Sequence, residues 1–267
     1  MIGTHREDKD IIKINIEMKC GTNYEKELLY ENIIMILDKY CCDLILNDIN
    51  VIVVPIDYLP NKSSGRMEGM NLLLSYQLFE DISKTNRFYD ANSILKLSDI
   101  MINEESKEAI LILQSTIFHE LVHFDRRKLI PEIYNAVEKY WDEDIYLAMA
   151  ALYWAEYDAH LISDRLENLI VSTDFCKSFI EYDWKTNKNG YLYLLKCLSY
   201  FITRMRLLKN NNVYLNIFEI KNKSVKKLIE KTEFESNILE NKIPFNDISY
   251  LNALKMVFKE IHKEIDF

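Results

Sequence analysis

Apolar residues recur at helical spacing along most of the chain. Leu28, Leu29, Ile33, Ile36 and Leu37 mark one face of a first helix, expected from Glu25 to Leu46, and Tyr40 and Leu44 continue that face. The pattern then changes. Val51 to Val54 form a β-branched run that predicts a strand ending near Pro55. Pro60 to Gly69, with Asn61, Ser63, Ser64 and Gly65, reads as an exposed loop or hairpin connection, and MNLLLSY, around Leu72 to Leu74, as a second strand that periodicity alone does not separate from helix. A further short strand is expected at Ile100 to Asn103.

From there helices dominate. Ser106 suits an N-cap, and Ile110, Leu113, Ile117, Leu121 and Phe124 give the helix behind it a buried face. Arg126, Arg127 and Lys128 suit its C-terminal end, with Pro131 as break or start of the next helix. Ile145 to Leu169 forms the second informative helix. Its front half, IYLAMAALYWA, is apolar nearly all round, whereas its rear half carries Glu156, Asp158, His160, Asp164 and Arg165. A central helix whose polar end emerges at a cleft would have this pattern. Further helices are expected over Phe175–Trp184, Tyr191–Leu208, Ser224–Lys231 and Asp247–Ile265. The reading is an α+β protein with a small N-terminal sheet and a predominantly helical remainder. It divides at Asn210 into residues 1–209 and a helical C-terminal extension or subdomain over 210–267.

Composition narrows the function. Hydrophobic residues make up 49%, ample for a core, and glycine and proline number only 5 and 4. The net charge of -9 argues against a direct nucleic-acid surface, which needs clustered cations to release counterions. The basic runs at Arg126–Lys128 and Lys221–Lys227 read as solvated helix faces or ends. Five cysteines without regular spacing do not form a disulfide framework. The opening MIGTHREDKDIIK carries no apolar signal segment, and no stretch suits a membrane span; a cytoplasmic protein is expected.

His119-Glu120-Leu121-Val122-His123 is a complete HExxH motif inside a strong helical pattern. Histidines at i and i+4 project from one helix face and can share one metal ion. Glu120, about 100° round the helix, is placed to act on a metal-bound water rather than on the metal. Chance matches to a motif of three fixed positions are common. Here, however, two of only 5 histidines form it, and its apolar flanks make uncompensated imidazoles and a carboxylate costly. The expectation is one Zn2+ per chain held by His119 and His123, with Glu120 as catalytic base.

A catalytic zinc needs a third protein ligand and an open position. The residues after His123, FDRRKL, supply no third histidine. Glu156, the first polar residue after the apolar half of the second helix, is the choice. His160, one turn further on, is the alternative, or else orients a ligand or contacts substrate. Tyr153, Tyr157, His160 and Arg165 are candidates for stabilising the oxyanion. Asp125 is expected to face away from the histidine pair, on the helix surface or against a loop.

The strand-like IMIN, the helix ending TIFHELVHFD and the later AEYDAHLIS together resemble the ImmA/IrrE family of zincin-like metallopeptidases, over Val51 to Asn168. The resemblance implies a zincin-like fold in which a short strand precedes the HExxH helix. It also implies zinc ligands at His119, His123 and Glu156, with Glu120 as general base. Broader gluzincin peptidases share that ligand set. Members of the family often carry a helix-turn-helix module; none is evident here. The function expected is hydrolysis of a peptide bond in an intracellular protein partner. The alternative is a zincin fold that no longer cleaves and serves as a regulatory or protein-binding module.

Overall fold

The computed structural model describes residues 12–40, 48–59, 64–69, 71–85, 104–163, 169–182, 184, 190–216 and 219–265. The protein is α+β, mostly helical, with one small mixed sheet. It divides into two compact units. The first takes the described residues up to Asp125 and the second those from Arg126 onward.

The first unit is built on a four-stranded sheet in the order β1-β2-β4-β3. Strands β1 (Ile14–Met18), β2 (Ile49–Val54) and β4 (Asn71–Ser75) run parallel, with Ile16 opposite Val51 and Val53 opposite Leu74. Strand β3 (Gly65–Glu68) runs antiparallel to β4 at the sheet edge, Gly65 opposite Leu74. The strand anticipated at Val51 to Val54 is therefore present, and MNLLLSY contributes β4. The segment expected to be a loop or hairpin connection also supplies β3, and β1 lies in a stretch where no strand was anticipated. The strand expected at Ile100 to Asn103 lies outside the described residues.

Helix α1 (Asn23–Tyr40) lies between β1 and β2 in the chain. Its start is a capping box: the Thr22 N–H donates to Glu25 Oε2 at 2.6 Å, and Thr22 Oγ1 accepts from the Glu25 N–H at 3.4 Å. A short helix α2 (Gln77–Thr85) follows β4 and buries Leu78, Phe79 and Ile82.

Helix α3 (Glu104–Leu129) begins two residues ahead of Ser106, which lies inside its first turn instead of capping it. Its inward face is Ile110, Leu113, Ile117, Phe118, Leu121 and Val122, each at most 5% exposed. One polar bridge ties it to α1. The Gln114 amide donates to Asn32 Oδ1 at 2.7 Å, and the Asn32 amide donates to the Leu28 carbonyl at 2.7 Å, which satisfies two buried side chains together.

The second unit is helical: α4 (Pro131–Lys139), α5 (Ile145–Ser163), α6 (Leu169–Glu181), α7 (Gly190–Asn210), α8 (Lys223–Glu240) and α9 (Asn252–His262). Pro131 occupies the first turn of α4, where its missing N–H costs nothing. Helix α5 is the central one, packed by α4, α7 and α9, and this explains its all-round apolar front half. Ala148, Ala150, Ala151 and Ala159 let neighbours approach it, while Tyr153, Trp154 and Tyr157 fill the space between. Asn210 ends α7. Beyond it, Val225 and Leu228 of α8 and Leu254 and Phe258 of α9 join the same core cluster as Tyr153 and Phe201. Among the described residues no helix is long and apolar enough to cross a membrane.

Candidate metal centre

Helix α3 places His119 and His123 one turn apart, and their side chains converge. The two Nε2 atoms are 3.0 Å apart, with the rings perpendicular and their centroids separated by 4.5 Å. One ring can donate to the other only if their tautomers differ. The convergence is secured by the residues between and around them. Phe118, Leu121 and Val122 are essentially inaccessible, so this stretch of helix is locked in the core. His123 and Glu120 are each 8% exposed, and His119 is half-buried.

Glu120 projects between α3 and the edge strand. A methyl group built on Gly65 of β3 would stand 2.9 Å from Thr116 Cγ2 and 3.2 Å from Glu120 Cγ, so the strand passes directly over this turn.

On α5, Glu156 and His160 are also one turn apart and half-buried. Both sequence candidates for the third ligand lie on α5, in the second unit. The His119–His123 pair could contribute to holding a metal ion. Imidazole nitrogen with a carboxylate oxygen is a donor set that suits zinc among other divalent metals.

Other expectations are corrected by the geometry. Asp125 is only 2% exposed and is not a surface residue. Arg126 is not a solvated helix end: its Nε lies 2.7 Å from Asp158 Oδ2, and the two side chains are 12% and 2% exposed. The Tyr153 hydroxyl pairs with Ser236 Oγ at 3.0 Å. The Tyr157 hydroxyl donates to the Glu240 carboxylate and accepts from Arg206 Nη1 at 2.7 Å. Both hydroxyls are thus committed to partners on α7 and α8. Burial is the largest cause raising both phenols above their usual range, with the Glu240 charge adding to it. Arg165 lies outside the described residues.

Three neighbours escaped the sequence reading. Asp158 sits between Glu156 and His160 along α5 as the buried partner of Arg126. Tyr134 of α4 has its phenol raised well above the ordinary value, first by burial and then by the Asp158 and Glu156 charges. Its ring also lies 5.9 Å from the Arg127 guanidinium. Tyr200 of α7 packs its ring 4.7 Å from that of His160 and has the buried Arg204 guanidinium 4.2 Å from its own centre. An aspartate interleaved with two candidate ligands was a readable signal for the first. Nothing in the linear pattern distinguishes Tyr134 or Tyr200 among 17 tyrosines.

No family model matches the chain, and neither a curated protein nor a solved structure matches it.

Proposed function

We propose that the protein is a zinc-dependent peptidase of the zincin-like type, resembling the ImmA/IrrE group, that hydrolyses a peptide bond in a cytoplasmic protein partner. The observation that carries this reading is the convergence of His119 and His123 Nε2 to 3.0 Å beside a buried Glu120. His119, His123 and Glu156 would hold the ion, and the donor types fit zinc. Bound there, zinc supplies Lewis acidity toward water and the scissile carbonyl.

The chain's own residues account for the remainder. Glu120, enclosed by the core and by β3, takes the proton of the attacking water at its carboxylate and passes it to the leaving amide nitrogen. Burial keeps competing water from that carboxylate and strengthens its interactions. The Tyr153 and Tyr157 hydroxyls are committed elsewhere, and His160 remains a candidate to contact the oxyanion.

The sequence leaves a second reading open: with Glu156 and His160 both as ligands beside the histidine pair, four side chains would leave no open position on the ion. Such a closed site belongs to the non-cleaving regulatory or protein-binding module.

Zinc content measured beside hydrolysis of a peptide library distinguishes the readings. The peptidase reading expects about one zinc per chain and turnover in the native protein, with Glu120→Gln keeping the zinc and losing turnover. Zinc without turnover in the native protein would favour the closed site. A protein that neither carries nor takes up zinc would overturn both.

A further inference from the structure

Gly65 is the first residue of strand β3, where an ordinary residue pairs as well and has less entropy to lose. Backbone freedom does not explain it. Among the described residues the glycines at positive φ are Gly21, Gly69 and Gly190, and Gly65 is not one of them. At Gly69 and Gly190 an added Cβ would meet nothing within 4 Å. At Gly65 it would meet Thr116 Cγ2 at 2.9 Å, Glu120 Cγ at 3.2 Å and Leu74 Cδ2 at 3.4 Å. The missing side chain is what this position requires.

We propose that Gly65 is a positioning residue for Glu120: its bare Cα lets β3 lie on the Thr116–Glu120 turn of α3 and holds the stem of the Glu120 side chain in place. This deepens the reading of Glu120 as general base and rests on it.

The surroundings decide where an added methyl would push. Thr116 is β-branched and stiff at χ1 in a helix. Leu74 is fully buried. Helix α3 cannot retreat, because Ile117, Phe118 and Leu121 of the same turns are packed to at most 1% exposure. The soft element is the Glu120 side chain beyond Cγ, which turns about staggered torsions at modest cost. The displacement therefore reaches the carboxylate. A shift of about 1 Å in a reacting group lowers a rate by on the order of 100-fold.

The full-length chain is tested as Gly65→Ala, Thr116→Ser and the double variant, by zinc content, by kcat and KM, and by the 13C carboxyl signal of Glu120 in glutamate-labelled protein, assigned through its loss in Glu120→Gln. Gly65→Ala should keep its zinc and its KM, lose roughly 10- to 100-fold in kcat, and move the Glu120 signal. Thr116→Ser removes the tightest contact and should return part of both in the double variant. A native kcat and an unmoved signal in Gly65→Ala would overturn the proposal. Should Gly65→Ala fail to fold, the double variant keeps the 3.2 Å contact with Glu120 and is compared with Thr116→Ser alone; identical signals would overturn it. If the native protein does not cleave peptides, the base reading falls, and the carboxyl signal still decides whether Gly65 places Glu120.

Discussion

Arg126 Nε stands 2.7 Å from Asp158 Oδ2, and Asp158 lies between Glu156 and His160 on the same helix. The pair is largely withdrawn from water. A buried pair adds little over a well-packed apolar one, but breaking it strands a charge.

Asp158→Ala should therefore cost about 3 kcal/mol or more of unfolding free energy, because Arg126 keeps its charge without that partner. Replacing both, as Arg126→Met with Asp158→Leu, should cost less than Asp158→Ala alone. Urea denaturation of the three proteins checks this. An Asp158→Ala midpoint equal to that of the native protein would mean that solvent screens the pair.

Glu25 makes a second prediction. Its carboxylate is 4% exposed and accepts from the Thr22 N–H at 2.6 Å, the Thr22 hydroxyl at 2.9 Å and the Tyr76 hydroxyl at 2.9 Å. It joins the start of α1 to the residue that follows β4. Glu25→Ala should destabilise by about 1–3 kcal/mol, since it leaves those donors without their acceptor. Tyr76→Phe should cost less, since it removes only one donor. Chemical denaturation of both variants gives the order, and a larger loss for Tyr76→Phe would contradict it.

How much of this was legible in advance depended on whether a signal was local. The HExxH helix was readable because apolar periodicity and rare residues coincide within one stretch. The apolar half of α5 announced a central helix, and α4, α7 and α9 enclose it. Strand β1 was readable and missed: Ile14, Ile16 and Met18 alternate with Asn15 and Glu17, a clean period of two. The capping box Thr22–Glu25 was likewise present in the chain. Strand β3 was not legible, since GRME is short and polar and owes its conformation to pairing with β4. The Arg126–Asp158 pair and the burial of Asp125 were also hidden. Charge alone predicts solvent, and only packing around α3 shows that the helix is enclosed there.

His262 gives the protein a pH dependence. Its ring stacks on Tyr191 at 4.3 Å between centroids, and its Nδ1 lies 3.1 Å from the Tyr146 hydroxyl. Burial lowers its pKa below the usual histidine value of 6.5. The folded state thus binds fewer protons than the unfolded state, and stability rises with pH across this titration. That contribution is fully present above the unfolded value and is lost as pH falls from about 6.5 through the lower folded value. His262→Gln should flatten this part of the stability–pH curve. Thermal unfolding between about pH 7 and pH 5 measures it, and a drop of equal size in the variant would assign the effect to other groups.

The last prediction separates the candidate ligands. His119 and His123 each contribute an Nε2 to one point, so His119→Ala and His123→Ala should each lose zinc almost completely. Glu156 and His160 lie one turn apart on α5 and differ in what each would bring to an ion. Glu156 brings a negative charge toward a dication, which favours binding strongly where water is scarce. His160 brings a neutral ring whose face is already occupied by Tyr200 at 4.7 Å. Glu156→Ala should therefore weaken zinc binding more than His160→Ala, a difference read by competition with a coloured chelator. The reverse order would transfer the ligand role to His160 and leave Glu156 as a supporting carboxylate. Equal, severe losses would mean that both bind. The ion would then be closed off from water by four protein donors, and hydrolysis would require one of them to leave.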